Sequence, residues 1–332
     1  MTAASLAVAL MVSAPAGYDA RRSLQVLAAT GATDAADQIA GDGAALTRAV
    51  LLDDVPYLLH IRPSEDATMP GFVLSIRAAD GAAVAPDSAA VTAATAWVTR
   101  RFALDVDMDA VAVALGTDVY GAMLRDRCWP TRPPGLADAW SCLLKTLIGN
   151  RIYRPLAMIL QRGLMAEYGP VAHFDGIAYP LFPEVGRVAM IPPEELIALR
   201  FSRQKANALP ALAARMMDDP VRFDWDRLRA LPGAEAIAIL DELPGVGPWT
   251  AGYVALRGLR HPDVFVADDG LRQSVAVHME LPPDIPAVAF TNAIARYAPY
   301  RSYACHYSYM VLYGGAGSGS SDNDGGDPVA VK

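Results

Sequence analysis

The sequence predicts a mostly α protein with an α+β domain at its N-terminus, and two observations carry this prediction. Short β-like runs alternate with helical runs over roughly the first hundred residues, including "LAVALMVS", "PYLLHIRP" and "FVLSIRAA". Beyond "DVDMDAVAVAL" strand signals nearly vanish. Apolar residues then recur with the helical period in segments that Pro or Gly terminates.

The N-terminal segment begins with the predicted strand "SLAVALMVS", which a helix follows from near Tyr18. Three further runs, "ALTRAVLLDD", "PYLLHIRP" and "FVLSIRAA", predict an antiparallel sheet, and "SAAVTAATAWVTRRFAL" predicts a covering helix. Asp53, Asp54 and Gly81 stand where the pattern breaks, as turn residues do. These elements form the predicted α+β domain.

We predict three regions: the α+β domain over 1–104, a helical region over 105–314 and a disordered tail over 315–332. A chain of 332 residues is long enough for two domains, because single cores rarely grow beyond about 250 to 300 residues. The tail contains mainly Gly, Ser and Asp and has little to bury, which predicts disorder.

Composition limits the partners and the compartment. A net charge of -8 opposes binding to nucleic acid unless the charges are segregated, and basic residues do cluster in "RDRCWPTRP" and "RFSRQK". Cys128, Cys142 and Cys305 have no paired spacing, so neither a disulfide framework nor a zinc or iron-sulfur site is predicted. The apolar N-terminal run lacks the basic region of a signal peptide. We therefore expect a soluble cytoplasmic protein without a membrane segment.

A short connection between two predicted helices carries the first functional signal. Its residues are Leu243, Pro244, Gly245, Val246 and Gly247. Glycines permit positive φ and close approach of a ligand to the backbone, and the Pro that follows suits the first position of a helix. Free amides at a helix N-terminus bind phosphate oxygens. Taken alone, the pattern favours an ordinary helical hairpin with a glycine cap.

The spacing downstream favours a catalytic site. Trp249 opens the next helix, Tyr253 follows at i+4 on the same face, and Asp269 lies twenty residues after Trp249. Without the hairpin, simple N-capping would explain Asp268 and Asp269. With it, we assign capping or solvation to Asp268 and catalysis to Asp269.

Four segments together resemble one known family: "PGVGPWTAGYVALRG", "DVFVADDGL", "YAPYRSYACHYSYM" and "RPPGLADAWSCLLKTLIGN". The arrangement resembles the helix-hairpin-helix DNA glycosylases, and most closely their 3-methyladenine DNA glycosylase II (AlkA) branch. The resemblance is strong from about residue 115 to 312 and weak over the sheet domain. It implies a helix-hairpin-helix glycosylase fold preceded by a half-TBP-like antiparallel sheet domain.

The resemblance implies a role for each candidate residue. Asp269 would lie beneath the sugar, stabilise its oxocarbenium-like charge and align water. The implied base pocket consists of Trp249, Tyr253 and Tyr309. The position that matches the family's DNA wedge is Pro133, which departs from the familiar Leu. Supporting positions are Asn150, Arg301 and Ser302. His306 is predicted to be a core or edge residue.

The implied activity is monofunctional excision of alkylated purines of the 3-methyladenine type. The Lys that bifunctional relatives carry after the hairpin is replaced by Trp249. The expected partner is double-stranded DNA with damaged bases, and the expected state is a monomer associated with the nucleoid. No cofactor is expected, although the carbonyls of Leu243 and Val246 could hold a monovalent cation. The alternatives are an oxidised-purine glycosylase and a non-catalytic helix-hairpin-helix DNA-binding protein.

Overall fold

The computed structural model describes residues 7–30, 32–79 and 81–313. These residues fall into two compact units. Unit 1 contains the chain up to Asp105 together with Pro155–Ala214, and unit 2 contains Val106–Arg154 together with the chain from Arg215 onward. The region 105–314, predicted as one helical region, is therefore divided between the two units. The tail predicted as disordered, 315–332, lies outside the described residues.

Helices account for most of the ordered structure. In chain order the α-helices are α1 (Ala20–Ala29), α2 (Ala89–Phe102), α3 (Met108–Leu115), α4 (Val119–Cys128), α5 (Ala139–Gly149), α6 (Arg154–Tyr168), α7 (Val185–Ala189), α8 (Pro193–Ala198), α9 (Arg203–Asp218), α10 (Trp225–Ala230), α11 (Gly233–Leu240), α12 (Pro248–Tyr253), α13 (Asp269–His278), α14 (Ala287–Ile294) and α15 (Arg301–Tyr313). Among the described residues no helix is long and apolar enough to cross a bilayer.

Unit 1 contains a five-stranded antiparallel sheet, which confirms the predicted α+β domain. The strands are β1 (Val8–Ser13), β2 (Gln38–Ala40), β3 (Ala45–Leu52), β4 (Val55–Pro63) and β5 (Gly71–Ala78), and they lie in the order β1-β5-β4-β3-β2. Asp53 and Asp54 both adopt positive φ, 51° and 61°, in the tight turn that joins β3 to β4. This turn is where the sequence pattern predicted it.

The second segment of unit 1 contains a feature that the sequence analysis missed. Strands β6 (Val171–Phe174) and β7 (Ile177–Pro180) form an antiparallel hairpin in the region predicted to be mostly helical. Asp175 and Gly176 make its turn with φ of 52° and 78°. The Asp-Gly pair is a strong hairpin signal. The strands themselves are too short for their alternation to be recognised.

Four charged side chains of unit 1 form a buried ion cluster. Arg48 contacts Asp34 at 2.6 Å and Asp37 at 3.1 Å, and Arg101 contacts Asp37 at 2.7 Å. Each of these side chains is at most 4% exposed. Arg101 also lies 5.0 Å from the centre of the Trp97 ring. The cluster connects the segment before β2 with β3 and α2.

Unit 2 packs α4, α13 and α15 around an aromatic core. Tyr120, Tyr303 and Tyr307 are buried together with Leu124 and Val275. Aspartate caps begin several of its helices: Asp118, Asp138 and Asp268 each accept a backbone hydrogen bond at 2.7 Å from the residue three positions later. These caps satisfy amides that the helices leave unpaired.

A π-helical turn, Val254–Gly258, continues directly from α12. Its widened ring is visible in the hydrogen bond from the Leu259 amide to the Val254 carbonyl at 2.8 Å, five residues back. Gly258 lies against α5, because a Cβ there would be 3.0 Å from Cα of Ala139 and 3.1 Å from Cβ of Cys142. Glycine is required for this close packing.

Candidate active site

The glycine hairpin between α11 and α12 is anchored by buried side chains and has an exposed turn. The Val246 amide donates to the Leu243 carbonyl at 3.0 Å, and the side chains of both residues are buried. Pro244 and Gly245 are exposed, and Gly245 has φ of 81°. The buried side chains hold the turn against unit 2 while its backbone faces outward.

Gly247 is the cap of α12 and leaves its first turn open. It has an extended φ of -118°, and nothing lies within 4 Å of the position that a Cβ would occupy. Pro248 takes the first helical position and has no amide, and Gly247 supplies no side-chain cap to the amides of Trp249 and Thr250. The arrangement suits an anionic ligand such as a phosphate oxygen.

Trp249 and Tyr253 form an aromatic slot on one face of α12. Their ring centroids are 5.3 Å apart with planes inclined by 21°, so the rings are stacked. Both side chains are half-buried. A stacked pair with partly exposed faces provides a surface on which a planar base can lie.

Helix α5 contacts the slot from a different part of the chain. Asn150, which follows α5, donates from Nδ2 to Oγ1 of Thr250 at 3.1 Å. Lys145 lies 3.4 Å from the Tyr253 hydroxyl and 5.4 Å from its ring centroid. Asn150 therefore contacts the helix of the slot, and its supporting role stays a prediction.

The segment returning from the π turn to α13 packs closely against α12. A Cβ at Gly252 would lie 3.1 Å from Cγ2 of Val266, so helix and segment are in contact. Asp268 then caps α13 through the Leu271 amide, which confirms its predicted capping role. Gly252 lies between Trp249 and Tyr253, so this contact connects the slot to the start of α13.

Asp269 is the first residue of α13 and its side chain is 82% exposed. Its Oδ1 lies 2.9 Å from a terminal nitrogen of Arg272, one turn further along the helix. Gly270 follows, and a Cβ there would lie 3.6 Å from the Tyr313 hydroxyl. A carboxylate with little covering it, next to a glycine, is accessible to a ligand.

Arg301 and Ser302 hold the return segment onto α15. Arg301 makes a two-pronged ion pair with Asp263, with Nε–Oδ1 at 2.6 Å and a second contact at 2.8 Å. The buried Ser302 hydroxyl accepts from the Val264 amide at 3.0 Å and lies 2.7 Å from the His261 carbonyl, to which it can donate. Both residues fix the backbone that leads to Asp269.

Tyr309 lies on α15 and is half-buried against the core that α13 shares. Its ring centroid is 5.4 Å from that of Tyr313, whose hydroxyl is near Gly270. Tyr309 thus lies next to Tyr313, which in turn lies near the start of α13. Its membership of a base pocket stays a prediction.

Comparison with known proteins gives a consistent result. No protein-family model matches the chain. It is 33% identical over 222 residues to a Mycobacterium tuberculosis protein named "Probable bifunctional transcriptional activator/DNA repair enzyme AlkA", covering 66% of this chain and 42% of that protein. It is 32% identical over 175 residues to "DNA-3-methyladenine glycosylase 2" of Escherichia coli, covering 52% of this chain and 57% of that protein.

Among solved structures, a 3-methyladenine DNA glycosylase from Archaeoglobus fulgidus superimposes with a TM-score of 0.71 over 92% of this chain and 99% of that one, at 18% identity. The chain is thus similar in sequence to AlkA-type DNA repair proteins and in fold to a solved 3-methyladenine DNA glycosylase. It spans about half the length of the curated relatives just named.

One predicted site residue is buried, although its predicted role requires exposure. Pro133 is buried, as are the residues on either side of it. A wedge that fills the gap left by a flipped nucleotide must stand out from the surface. Pro133 instead belongs to a loop held inward by the bond from the Leu136 amide to the Arg257 carbonyl at 2.9 Å, and the wedge assignment is withdrawn.

Two features near the site escaped the sequence analysis. Lys145 reaches Tyr253 across 108 residues of sequence, a proximity that no local pattern encodes. Arg257 is buried and bonds both the Pro134 carbonyl, at 2.9 Å, and Nδ1 of His306, at 3.2 Å. The predicted core position of His306 is confirmed. Burial, and then the positive charges of Arg257 and Arg260, lower the pKa of His306 well below 6.5.

The residues described in the structure include no group of three or more His, Cys, Asp or Glu side chains arranged to hold a metal ion. The Leu243 carbonyl, considered as a ligand for a monovalent cation, already accepts the Val246 amide. A carbonyl oxygen has a second lone pair, so this bond leaves it able to bind a cation.

Proposed function

We propose that the chain is a monofunctional DNA glycosylase that flips alkylated purines of the 3-methyladenine type out of a duplex. It hydrolyses the N-glycosidic bond and leaves an abasic site. The single observation that carries the proposal is Asp269. Its carboxylate is exposed at the start of α13, on a backbone that Gly252, Arg301 and Ser302 hold against the slot and α15.

The chemistry follows from charge development. As the bond to the base lengthens, the sugar becomes oxocarbenium-like and positively charged. An anionic Asp269 placed beneath it stabilises that charge more than it stabilises the neutral ground state, which is the condition for catalysis. The same carboxylate can orient a water molecule towards the anomeric carbon.

The remaining residues bind and position the DNA. The exposed backbone at Gly245 and the open first turn of α12 would bind a phosphate oxygen beside the flipped nucleotide. Trp249 and Tyr253 would stack on the extruded base. We further propose that the protein acts on double-stranded DNA as a monomer and needs no cofactor, with a monovalent cation at the hairpin as an additional ligand.

The absence of a hairpin lysine supports the monofunctional assignment. A bifunctional enzyme needs an amine that attacks the sugar and forms a Schiff base. Trp249 occupies the corresponding position here. Borohydride should therefore trap no covalent adduct between the protein and DNA, and efficient trapping would contradict the assignment.

The decisive experiment compares base release from methylated duplex DNA by the wild type, Asp269→Asn and Asp268→Asn. Asp269→Asn should slow release about 10²- to 10³-fold, because an electrostatic group at the reacting centre is lost. Asp268→Asn is the matched control, since Asn caps a helix about as well as Asp. It should stay close to wild type.

Two other outcomes identify the alternatives. Tight binding of duplex DNA without any base release would indicate a non-catalytic DNA-binding protein. Release from a duplex containing 8-oxoguanine, but not from methylated DNA, would indicate an oxidised-purine glycosylase. Equal release by the wild type and Asp269→Asn would exclude the catalytic role of this carboxylate.

A further inference from the structure

Lys145 places a positive charge at one edge of the aromatic slot. Its ammonium nitrogen is 3.4 Å from the Tyr253 hydroxyl but 5.4 Å from the ring centroid. These two distances put the nitrogen beside the hydroxyl, displaced from the centre of the ring. The Tyr253 ring therefore has an apolar face and one polar edge, where an ammonium and a hydroxyl lie together.

The position of Lys145 is fixed by its helix. Asp138 caps α5 at its start through the Ser141 amide. Gly258 packs against Ala139 and Cys142 along its length, and Asn150 bonds Thr250 at its end. Lys145 itself is half-buried. Because these contacts connect α5 to the slot, the backbone that carries Lys145 is held close to Tyr253.

A base stacked on the face of Tyr253 that Trp249 leaves uncovered would have its centre within about 9 Å of this ammonium, given ring contact distances of about 3.5 Å. At the partly desolvated surface of a protein, the ammonium would repel a cationic base at that distance strongly enough to change which bases are selected. An acceptor atom on the base edge would instead be attracted and could accept a hydrogen bond.

We propose that Lys145 is a specificity-determining residue of the base pocket. It lowers the preference for bases that carry a positive charge and favours neutral bases that present an acceptor edge. This inference rests on the proposed function. It refines the substrate class: cationic purines alkylated at N3 or N7 would be excised with less preference over a neutral purine with a carbonyl acceptor, such as hypoxanthine, than the aromatic slot alone would give.

The aromatic slot without the charge of Lys145 would have the opposite preference. Aromatic faces attract cations, so Trp249 and Tyr253 alone would select cationic bases. Lys145 already provides a cation next to Tyr253. It competes with a charged base for interaction with the π electrons of the Tyr253 ring. Removing its charge should therefore shift selectivity towards cationic lesions, and replacing it by another cation should not.

The test measures single-turnover base release from duplexes that contain either 7-methylguanine or hypoxanthine. Wild type, Lys145→Met and Lys145→Arg are compared. Met keeps an unbranched chain without charge, and Arg keeps the charge. The ratio of the 7-methylguanine rate to the hypoxanthine rate should rise about tenfold in Lys145→Met. It should stay within about threefold of wild type in Lys145→Arg. A purely structural role would slow both substrates equally and leave the ratio unchanged.

A binding measurement separates this inference from the proposed function. The quenching of tryptophan fluorescence by 7-methylguanosine and by inosine is recorded in mildly acidic buffer, with Trp249→Phe identifying the contribution of the slot. Lys145→Met should bind the cationic nucleoside about tenfold more tightly relative to inosine. An unchanged ratio, or no quenching of Trp249 by either nucleoside, overturns the role of Lys145 even if bases are released. A shifted ratio in a protein that releases no base would support Lys145 and refute the glycosylase.

Discussion

The two units of the molecule use aspartate in opposite ways. In unit 1, Asp34 and Asp37 are fully buried between Arg48 and Arg101, whereas in unit 2 the Asp269 side chain is 82% exposed. Burial raises the pKa of Asp34. The same burial acts on Asp37, but the charges of Arg101 and Arg48 outweigh it and lower its pKa. Asp37 thus contributes its charge to the fold through buried ion pairs, whereas an accessible acid such as Asp269 can act on a ligand.

The largest expected effect tests the structural side of this comparison. Asp37→Asn removes the charge that two guanidinium groups share and leaves them buried without it. The free energy of unfolding should fall by about 3 to 5 kcal/mol, measured by urea denaturation. The control is Asp42→Asn. Asp42 is exposed and lies 3.5 Å from Arg21, so that variant should change stability by less than about 0.5 kcal/mol.

If Asp37→Asn unfolds no more easily than Asp42→Asn, the ion cluster is not a structural element and the contrast between the units fails. At low temperature, where Asp37→Asn remains folded, this variant should still release bases at the wild-type rate per folded molecule. That rate distinguishes it from Asp269→Asn, whose defect we expect in catalysis alone.

A smaller effect is expected in the hairpin, where two glycines differ. Gly245 has φ of 81°, so Gly245→Ala forces a side chain into the left-handed region and should cost about 1 to 2 kcal/mol of stability. Gly247 has φ of -118° and open space at its Cβ position. Gly247→Ala should leave the melting temperature nearly unchanged and weaken DNA binding only if a phosphate lies against it. Equal destabilisation by both substitutions would contradict the observed turn.

The smallest effect concerns acid stability. His306 stays neutral in the folded protein because its pKa lies well below 6.5, while in the unfolded chain it takes up a proton below that pH. Its contribution is therefore complete above about pH 6.5 and is lost as the pH falls. Between about pH 7.5 and 5.5, the free energy of unfolding of wild type should fall by about 1 kcal/mol more than that of His306→Asn. The Asn amide oxygen can still accept a hydrogen bond from Arg257. Chemical denaturation measures this free energy for both proteins across the pH range. An equal fall in wild type and His306→Asn would show that His306 has no such effect.

Local signals explain what the sequence predicted correctly. Paired aspartates at the β3–β4 turn, the glycine hairpin and the cap of α13 are encoded within a few residues and all lie where expected. The strands β6 and β7 were missed because four residues each give too little alternation. The grouping of Pro155–Ala214 with the sheet domain depends on contacts distant in sequence, which a linear pattern cannot specify.

The candidate site shows the same division. The spacing from the hairpin to Asp269 could be found from residue types, since glycine, aromatic and acid follow each other along one segment. The burial of Pro133 and the approach of Lys145 to Tyr253 could not, because both depend on how α5 and its preceding loop pack. Neighbouring elements, and not the motif alone, decide which side chains reach a ligand.

The π-helical turn after α12 has a consequence for how this chain tolerates changes in length. A π turn closes its hydrogen bond over five residues, so this stretch holds one residue more than the α-helical turn that it replaces. Deleting one residue between Val254 and Gly258 should therefore close an ordinary helical turn and leave the direction of the following chain nearly unchanged. Inserting one residue ahead of Arg257 would instead rotate it by about 100°, away from Pro134 and His306. This stretch should accept a one-residue deletion more readily than an insertion.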